Sequence, residues 1–368
     1  MKIVISGFYG LGNTGDEAIL EAIIDNLRDG LDSPDITVFS LSPEETATTH
    51  NVKSVYRAWR HDNKGKMKAL KEADLLISGG GGLLQDAYPT KFLFGPLPYY
   101  LLIVMLAKMC GTKVMFFSQG IGPVTSGWGK TLMKLANLAD FITVRDQYSK
   151  DLLHKLGVTK PETVVTSDIV FAFKPKKDDS AKASLPLNGG EKLVAVSVRP
   201  WFEHVKQFEQ MAQILDTLIT ERGVTPVFVP MEGHHDKNAS EQVMSHMKYR
   251  DKCLMLGTDY TPNQYLNFIG ECEMTIGMRL HALIFSTLMG VPHIGFSYDK
   301  KVESLLKRSG MWDFSADLEN INVPELTANA IKLLDERESY SQTVKANAQS
   351  MRAEAVRNID LLKQNFLS

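Results

Sequence analysis

The stretch KIVISGFYGLGNTGDEAILEAIIDNL, Lys2–Leu27, decides the fold. Its first five residues, Lys2–Ser6, alternate too little to be half-exposed and read as a buried strand. A glycine-punctuated turn follows, Gly10-Leu-Gly12-Asn-Thr-Gly15, and Glu17–Leu27 then repeats apolar residues at helical spacing. Ile36–Ser40 supplies the next strand and completes a βαβ unit. Ala73–Ser78, Lys113–Ser118, Phe141–Val144 and Thr163–Thr166 continue the strands, with helices at Tyr99–Met109 and Lys130–Leu138 between them. Strands separated by helices predict a parallel sheet with helices on its faces.

The pattern breaks at Lys174–Glu191, where charges, two prolines and paired glycines suggest a linker. It then restarts with strands at Leu193–Val198, Pro226–Val229, Glu273–Ile276 and His293–Phe296, and helices through Phe208–Thr220 and near Asn238–Met247. The expected organisation is α/β: two Rossmann-like βα domains facing a central cleft. Residues 1–175 form the first domain, 176–191 the linker, 192–323 the second domain and 324–368 a helical tail. Ligands of such sheets bind beyond the carboxyl ends of the strands.

A chain of 368 residues suits two domains of this size. Its 41 basic and 43 acidic residues leave a net charge of −2, without the clustered basic excess of a nucleic-acid binder. Three scattered cysteines, Cys110, Cys253 and Cys272, fit free thiols in a reducing compartment. Met1–Gly7 has no basic leader or cleavage pattern, so the expected location is the cytoplasm. The most apolar run, Leu97–Cys110, is broken by Pro98 and Lys108 and is too short to span a bilayer. It reads as a buried helix, with peripheral contact at the inner membrane face as the other reading.

Gly10–Gly15 is a literal G-x-G-x-x-G, but the second strand ends in Ser40-Leu-Ser42-Pro43 rather than in an acid for a nucleotide ribose. Asp16 and Glu17 in the first helical turn would repel a diphosphate at that helix end. A neutral, hydroxyl-rich ligand contacting Gly15, Asp16 and Glu17 fits better; simple capping by the two acids is the plainer alternative. Ser78-Gly-Gly-Gly-Gly82 is expected to close a strand and open a helix. Gly80 and Gly81 would then lie bare against a ligand, with Asp86 beside them. Ser118-Gln-Gly120-Ile-Gly122-Pro123 forms a third glycine loop.

Cations end several strands. Arg145 follows Thr143-Val144, Arg199 follows Ser197-Val198, and Gly277-Met-Arg279-Leu280-His281 passes from strand into helix. Arg145, Arg279 and a helix N-terminus can grip a small, highly charged anion, with Lys301 and Arg199 as further charges. Plainer readings pair Arg145 with Asp146 or a nearby acid and make His281 a hydrogen-bonded core residue. His234 and His235, in Gly233-His-His-Asp236, read as a polar surface loop; no metal-ligand spacing is recognised.

Gly12-Asn-Thr-Gly-Asp-Glu17, Ser78–Gly82 with Gln85-Asp86, Ser118–Pro123, Val144-Arg-Asp146 and Arg279-Leu-His281 occur in that order. Together they resemble the polysaccharide pyruvyltransferase family, and most of all its CsaB-type members from S-layer-bearing bacteria. The resemblance covers roughly residues 3 to 300. It implies a GT-B-like architecture and phosphoenolpyruvate as co-substrate, with no cofactor and no metal. It also implies a 4,6-pyruvate ketal built on an amino sugar, N-acetylmannosamine of an undecaprenyl-diphosphate-linked cell-wall precursor, which serves S-layer anchoring. Arg145, Arg279 and His281 fall on the family's catalytic positions, and Leu280 lies within the same motif. Asp168 is followed by Ile169, where relatives often carry proline. The rival enzyme is a nucleotide-sugar glycosyltransferase of the same architecture. A non-catalytic sugar-binding protein and a nicotinamide oxidoreductase follow it.

Overall fold

Strands whose residues are apolar on both faces belong inside a parallel sheet, because crossover helices cover both of its sides. In the computed structural model, which describes residues 1–58, 61–86, 95–200 and 205–367, such strands build two units. The first comprises Met1–Lys174 with Met351–Ser368, the second Pro175–Ser350.

The first unit runs β1 (Lys2–Ser6), α1 (Thr14–Gly30), β2 (Asp35–Ser40), α2 (Pro43–His50), β3 (Lys53–Tyr56) and α3 (Asn63–Glu72). It continues with β4 (Leu75–Leu84), α4 (Pro96–Met109), β5 (Lys113–Ile121), α5 (Gly127–Met133), β6 (Phe141–Val144), α6 (Gln147–Lys155) and β7 (Glu162–Val165). All pairings are parallel, in the order β3-β2-β1-β4-β5-β6-β7. The order reverses between β1 and β4, which is where such a sheet opens a crevice for ligands. The apolar run of α4 is a core helix: Leu97, Tyr100, Leu101, Ile103, Val104 and Ala107 are buried. No helix among the described residues is long and apolar enough to cross a membrane.

Two strands extend further than expected. β4 carries the glycine run inside it up to Leu84, and β5 includes Gln119, Gly120 and Ile121. Neither run is a loop that closes a strand, and no helix starts at Leu83–Asp86. Packing explains the glycines. A Cβ on Gly79 would lie 2.6 Å from the Tyr9 hydroxyl, and one on Gly80 would lie 2.3 Å from Cγ2 of Ile19. The bare backbone thus lets Tyr9 and α1 lie against the strand. Gly80 and Gly81 also adopt positive φ, +47° and +71°, where the β4–β5 register shifts.

The second unit contains α7 (Ser180–Ala183), β8 (Lys192–Ser197), α8 (Val205–Arg222), β9 (Val224–Phe228), α9 (Gly233–His246), β10 (Leu254–Met255) and α10 (Pro262–Gly270). It goes on through β11 (Met274–Gly277), α11 (Leu280–Met289), β12 (His293–Ser297), α12 (Lys300–Ser309), β13 (Ala316–Asp317), α13 (Val323–Asp335) and α14 (Arg337–Phe366). Its parallel sheet has the order β10-β9-β8-β11-β12-β13, reversing between β8 and β11. Residues 233–236, expected as a surface loop, are instead the first turn of α9.

The segment 176–191, read as a linker, belongs to this unit. Lys176 exchanges backbone hydrogen bonds with the Asn263 side chain, and Lys182 pairs with Glu271, so the segment is tied to α10. Residues of the tail are shared out. Ser341 donates to the Gly290 carbonyl in the second unit, whereas Asn358 and Ile359 pack on Thr166 and Gly30 in the first.

Gly80→Ala is expected to destabilise the chain by about 2–4 kcal/mol, from overpacking plus positive φ. Gly12→Ala, at φ +70° with open space around it, should cost only about 1 kcal/mol. Denaturant melts of both variants give the comparison; equal losses would mean that contact with Ile19 is immaterial.

Candidate functional site

At the carboxyl edge of the first sheet, Asn13 caps α1 and accepts from the backbone N–H groups of Gly15 and Asp16, at 3.0 and 3.3 Å. Its carbonyl takes the Glu17 N–H as well. Three of the donors at this helix end, the N–H groups of Gly15, Asp16 and Glu17, are therefore already engaged, which weakens the usual basis for diphosphate binding there. Glu17 accepts from the Gly10 N–H at 2.8 Å and so holds the turn before the helix. Burial pushes its carboxyl above the ordinary value, against the opposing pull of the Gly10 and Leu11 N–H groups. Asp16 lies near Gly81, where a Cβ would come within 3.3 Å of its Oδ1. The structure thus brings Gly15, Asp16 and Glu17, in the first turn of α1, beside Gly80 and Gly81 of β4.

Asp86 does something different. Its carboxylate accepts from the backbone N–H and hydroxyl of Thr125 and from both of the same groups of Ser126. Burial works against the charge, yet the bonds from Ser126 and Thr125 prevail and hold the carboxyl below its usual range. Four donors leave little acceptor capacity for a ligand. Here the carboxylate fixes the chain entering α5.

Arg145, just beyond β6, is buried, with Nη1 2.8 Å from Asp168 and Nε 3.7 Å from Asp146. Asp168 also accepts from the Val170 N–H, and Asp146 caps α6 through the Ser149 N–H. The guanidinium lies over Gly120, whose Cβ would collide with it at 2.7 Å. That glycine serves an arginine, which its motif alone did not reveal.

In the second unit, register sets the geometry. Ser197 of β8 pairs with Gly277 of β11, and Met278 donates to the Ser197 carbonyl at 2.7 Å. Arg199 and Arg279, each two residues further, therefore leave adjacent strands at the same level. Arg199 donates to the Tyr298 hydroxyl at 3.2 Å and lies over its ring. Lys301, in the first turn of α12, sits 3.2 Å from Asp299. Arg279 is the N-cap residue of α11, followed by Leu280 and His281, both half-buried in its first turn.

The sequence reading missed the partner of Arg279. Asp236, fully buried in the first turn of α9, receives the guanidinium Nε at 2.9 Å and Nη2 as well. Glu232 makes a further ion pair to Nη2. Burial raises the Asp236 carboxyl while Arg279 pulls it down; the backbone N–H groups of Met231 and Glu232 add support. The Nη1 side of Arg279 has no hydrogen-bond partner among the described residues and remains available to an anion. The available signal was Gly233-His-His-Asp236, read for its histidines although its aspartate is the buried member; His234 and His235 are exposed.

Two parallel-sheet α/β units of this kind define the GT-B-like class, and solved structures agree. A putative UDP-N-acetylglucosamine 2-epimerase from Listeria monocytogenes matches with a TM-score of 0.69 at 12% identity, covering 100% of this chain and 96% of that one. HepE of Anabaena, solved with UDP-glucose, matches at 0.63 and 14% identity over 100% and 98%. These likenesses concern the fold. The sequence profile of the family described as polysaccharide pyruvyl transferase matches residues 13–300, and the chain belongs to that family. The amylovoran biosynthesis protein AmsJ of Erwinia amylovora is 23% identical over 405 residues, 94% of each chain.

Asp86→Asn should destabilise the first unit by about 1–3 kcal/mol at neutral pH, since hydrogen bonds to a charged acceptor weaken. The folded carboxyl titrates below its unfolded value, so this advantage of the native residue is present above the unfolded pKa and is lost as pH falls through the folded one. Urea melts at pH 7 and in acid check it; a gap that persists after protonation would contradict the assignment.

Proposed function

We propose that the chain transfers the enolpyruvyl unit of phosphoenolpyruvate to two hydroxyls of a sugar, making a cyclic 4,6-ketal and releasing phosphate. Family membership supports the reaction class, and the head of α11 is the observation that carries the chemistry. Arg279, braced by Asp236 and Glu232, presents its Nη1 side, and His281 lies two residues on in the first turn.

Ketal formation needs a proton at C3 of the enol while a sugar oxygen attacks C2. The C2–O bond to phosphate breaks, and the second hydroxyl closes the ring with loss of its proton. His281 is assigned as the acid to C3, the task for which imidazole titrates in the right range. Arg279 neutralises the phosphate or carboxylate, a preorganised electrostatic contribution that is usually the largest in such a step. Arg199, beyond β8, and Lys301, in the first turn of α12, add charge. Arg145 is assigned to the same charge stabilisation, steadied by Asp168. Asp16 or Glu17 orients the acceptor hydroxyls and takes their protons. The carboxyl of Glu17, raised by burial, suits it to take a hydroxyl proton in a concerted step.

The proposed acceptor is N-acetylmannosamine of an undecaprenyl-diphosphate-linked cell-wall polymer precursor, met at the cytoplasmic face of the membrane. The product ketal would serve S-layer anchoring. The relative named for amylovoran biosynthesis supports a role in making a surface polysaccharide.

The test is phosphate release from phosphoenolpyruvate, with and without an N-acetylmannosaminyl acceptor. Acceptor-dependent release should fall by about 10²–10⁴-fold in His281→Ala. Arg279→Lys, which loses the bidentate fork, should lose about 10-fold or more in kcat/KM for phosphoenolpyruvate. No release with any sugar, alongside tight binding of UDP-glucose, would replace this reading with nucleotide-sugar chemistry.

A further inference from the structure

Three arginines near strand ends, Arg57 and Arg145 buried and Arg279 half-buried, are treated differently. Arg145 faces Asp168 and Asp146, and Arg279 faces Asp236 and Glu232. Arg57, the residue after β3, is 8% exposed and has no carboxylate at ion-pair distance among the described residues. Its guanidinium carbon lies 5.4 Å from the ring centre of Phe8, 4.8 Å from that of Tyr99 and 5.4 Å from that of Tyr100. Nη2 donates to the Tyr100 hydroxyl at 3.0 Å.

A guanidinium stripped of water without a counter-charge costs several kcal/mol. Contacts with aromatic faces return about 0.5–2 kcal/mol each, which offsets part of that cost and leaves the positive charge in place. The Tyr100 hydroxyl accepts the Arg57 bond and so keeps its own proton to donate. A fork and a phenol side by side form a donor pair for an oxyanion.

The backbone around Arg57 is pinned as though its position mattered. Its N–H donates to the Ser40 carbonyl at 2.8 Å, and its carbonyl accepts from the Tyr99 hydroxyl at 2.9 Å. Lys66, itself buried, donates to the carbonyls of Ala58 and His61 at 2.6 Å and reaches those of Tyr56 and Arg57 at 3.4 Å. An ammonium turned to backbone carbonyls, closest to those of Ala58 and His61, is a positioning device for the segment that carries Arg57. The location is the carboxyl edge of β1, β2 and β3, next to the Gly10–Glu17 turn: Phe8 follows β1, and the Gly10 carbonyl accepts from Ser42 after β2.

We propose that Arg57 is a recognition residue of the first unit, taking a phosphate or carboxylate borne by the sugar acceptor whose hydroxyls meet Asp16 and Glu17. The inference rests on the pyruvyl-transfer reading for the identity of the substrate, but not for the existence of the oxyanion site. It separates the two anion tasks of the protein: phosphoenolpyruvate at Arg279, the acceptor's own charge at Arg57.

The experiment compares a sugar 1-phosphate, the corresponding uronate and the neutral methyl glycoside as acceptors for wild type, Arg57→Gln and Arg57→Lys. The preference in kcat/KM for one or both charged acceptors over the neutral one should fall about tenfold in Arg57→Gln, with Arg57→Lys between. Whichever charged acceptor loses the preference identifies phosphate or carboxylate. An unchanged preference, or a rise in KM for phosphoenolpyruvate in its place, overturns the proposal. Thermal melts establish that each variant is folded, and Arg57→Lys carries the comparison where Arg57→Gln is not. If wild type turns over no acceptor, the pyruvyl-transfer reading falls, and calorimetric titration with the sugar 1-phosphate and the uronate decides the site by itself. Binding to wild type that is lost in Arg57→Lys or Arg57→Gln upholds it, and equal binding or none to wild type sinks it.

Discussion

A helix can approach a strand only as closely as the strand's Cβ atoms permit, and in the first unit two glycines of β4 remove that limit. Ile19 of α1 occupies the space a Cβ would take at Gly80, and the Tyr9 hydroxyl occupies it at Gly79, donating to the Gly79 carbonyl at 3.2 Å. This contact fixes where α1 begins relative to the sheet, and with it Asp16 and Glu17. It also buries Tyr9 completely, and burial then raises its phenol well above the ordinary value, with Asp16 nearby adding to the effect. The placement of Asp16 and Glu17 at this edge of the sheet is thus a consequence of backbone packing before it is a matter of side-chain chemistry.

Electrostatics supplies the second organising rule. Arginines that end strands, one buried and one half-buried, are braced by carboxylates from a different element: Asp168 beyond β7 for Arg145, Asp236 of α9 for Arg279. Such pairs add little net stability, because desolvation offsets most of the attraction, but they hold a planar cation in one orientation. For Arg279 this leaves one edge of the guanidinium presented at the head of α11. Arg57 departs from the rule, with aromatic faces in place of an ion-paired acid among the described residues.

Much of the fold was legible in the sequence. The strands Lys2–Ser6 and Phe141–Val144 have the limits read from their apolar runs, and the two-fold repetition of βα units is plain from the alternation. β10 and β13 were not visible, since strands of two residues carry too few positions to show a period, and β3, Lys53–Tyr56, opens on a lysine and a serine instead of an apolar run. The glycine motifs were visible but misread. Four glycines in a row suggested a ligand's approach, and the approaching group for two of them is Ile19 and Tyr9. Asp86 looked like a ligand contact for the same reason, whereas its carboxylate is spent on Thr125 and Ser126, some forty residues away in sequence.

The sequence by itself determined the parallel α/β class, the order of its motifs and the identity of the cations that end its strands. These are properties of local period and of residue type, which a chain carries before it folds. Only the tertiary structure decided which of those cations are neutralised and by what. Asp236 is 43 residues from Arg279 in the chain, and Tyr100 is 43 from Arg57. Desolvation and pairing depend on distance in space, and neither period nor composition records it.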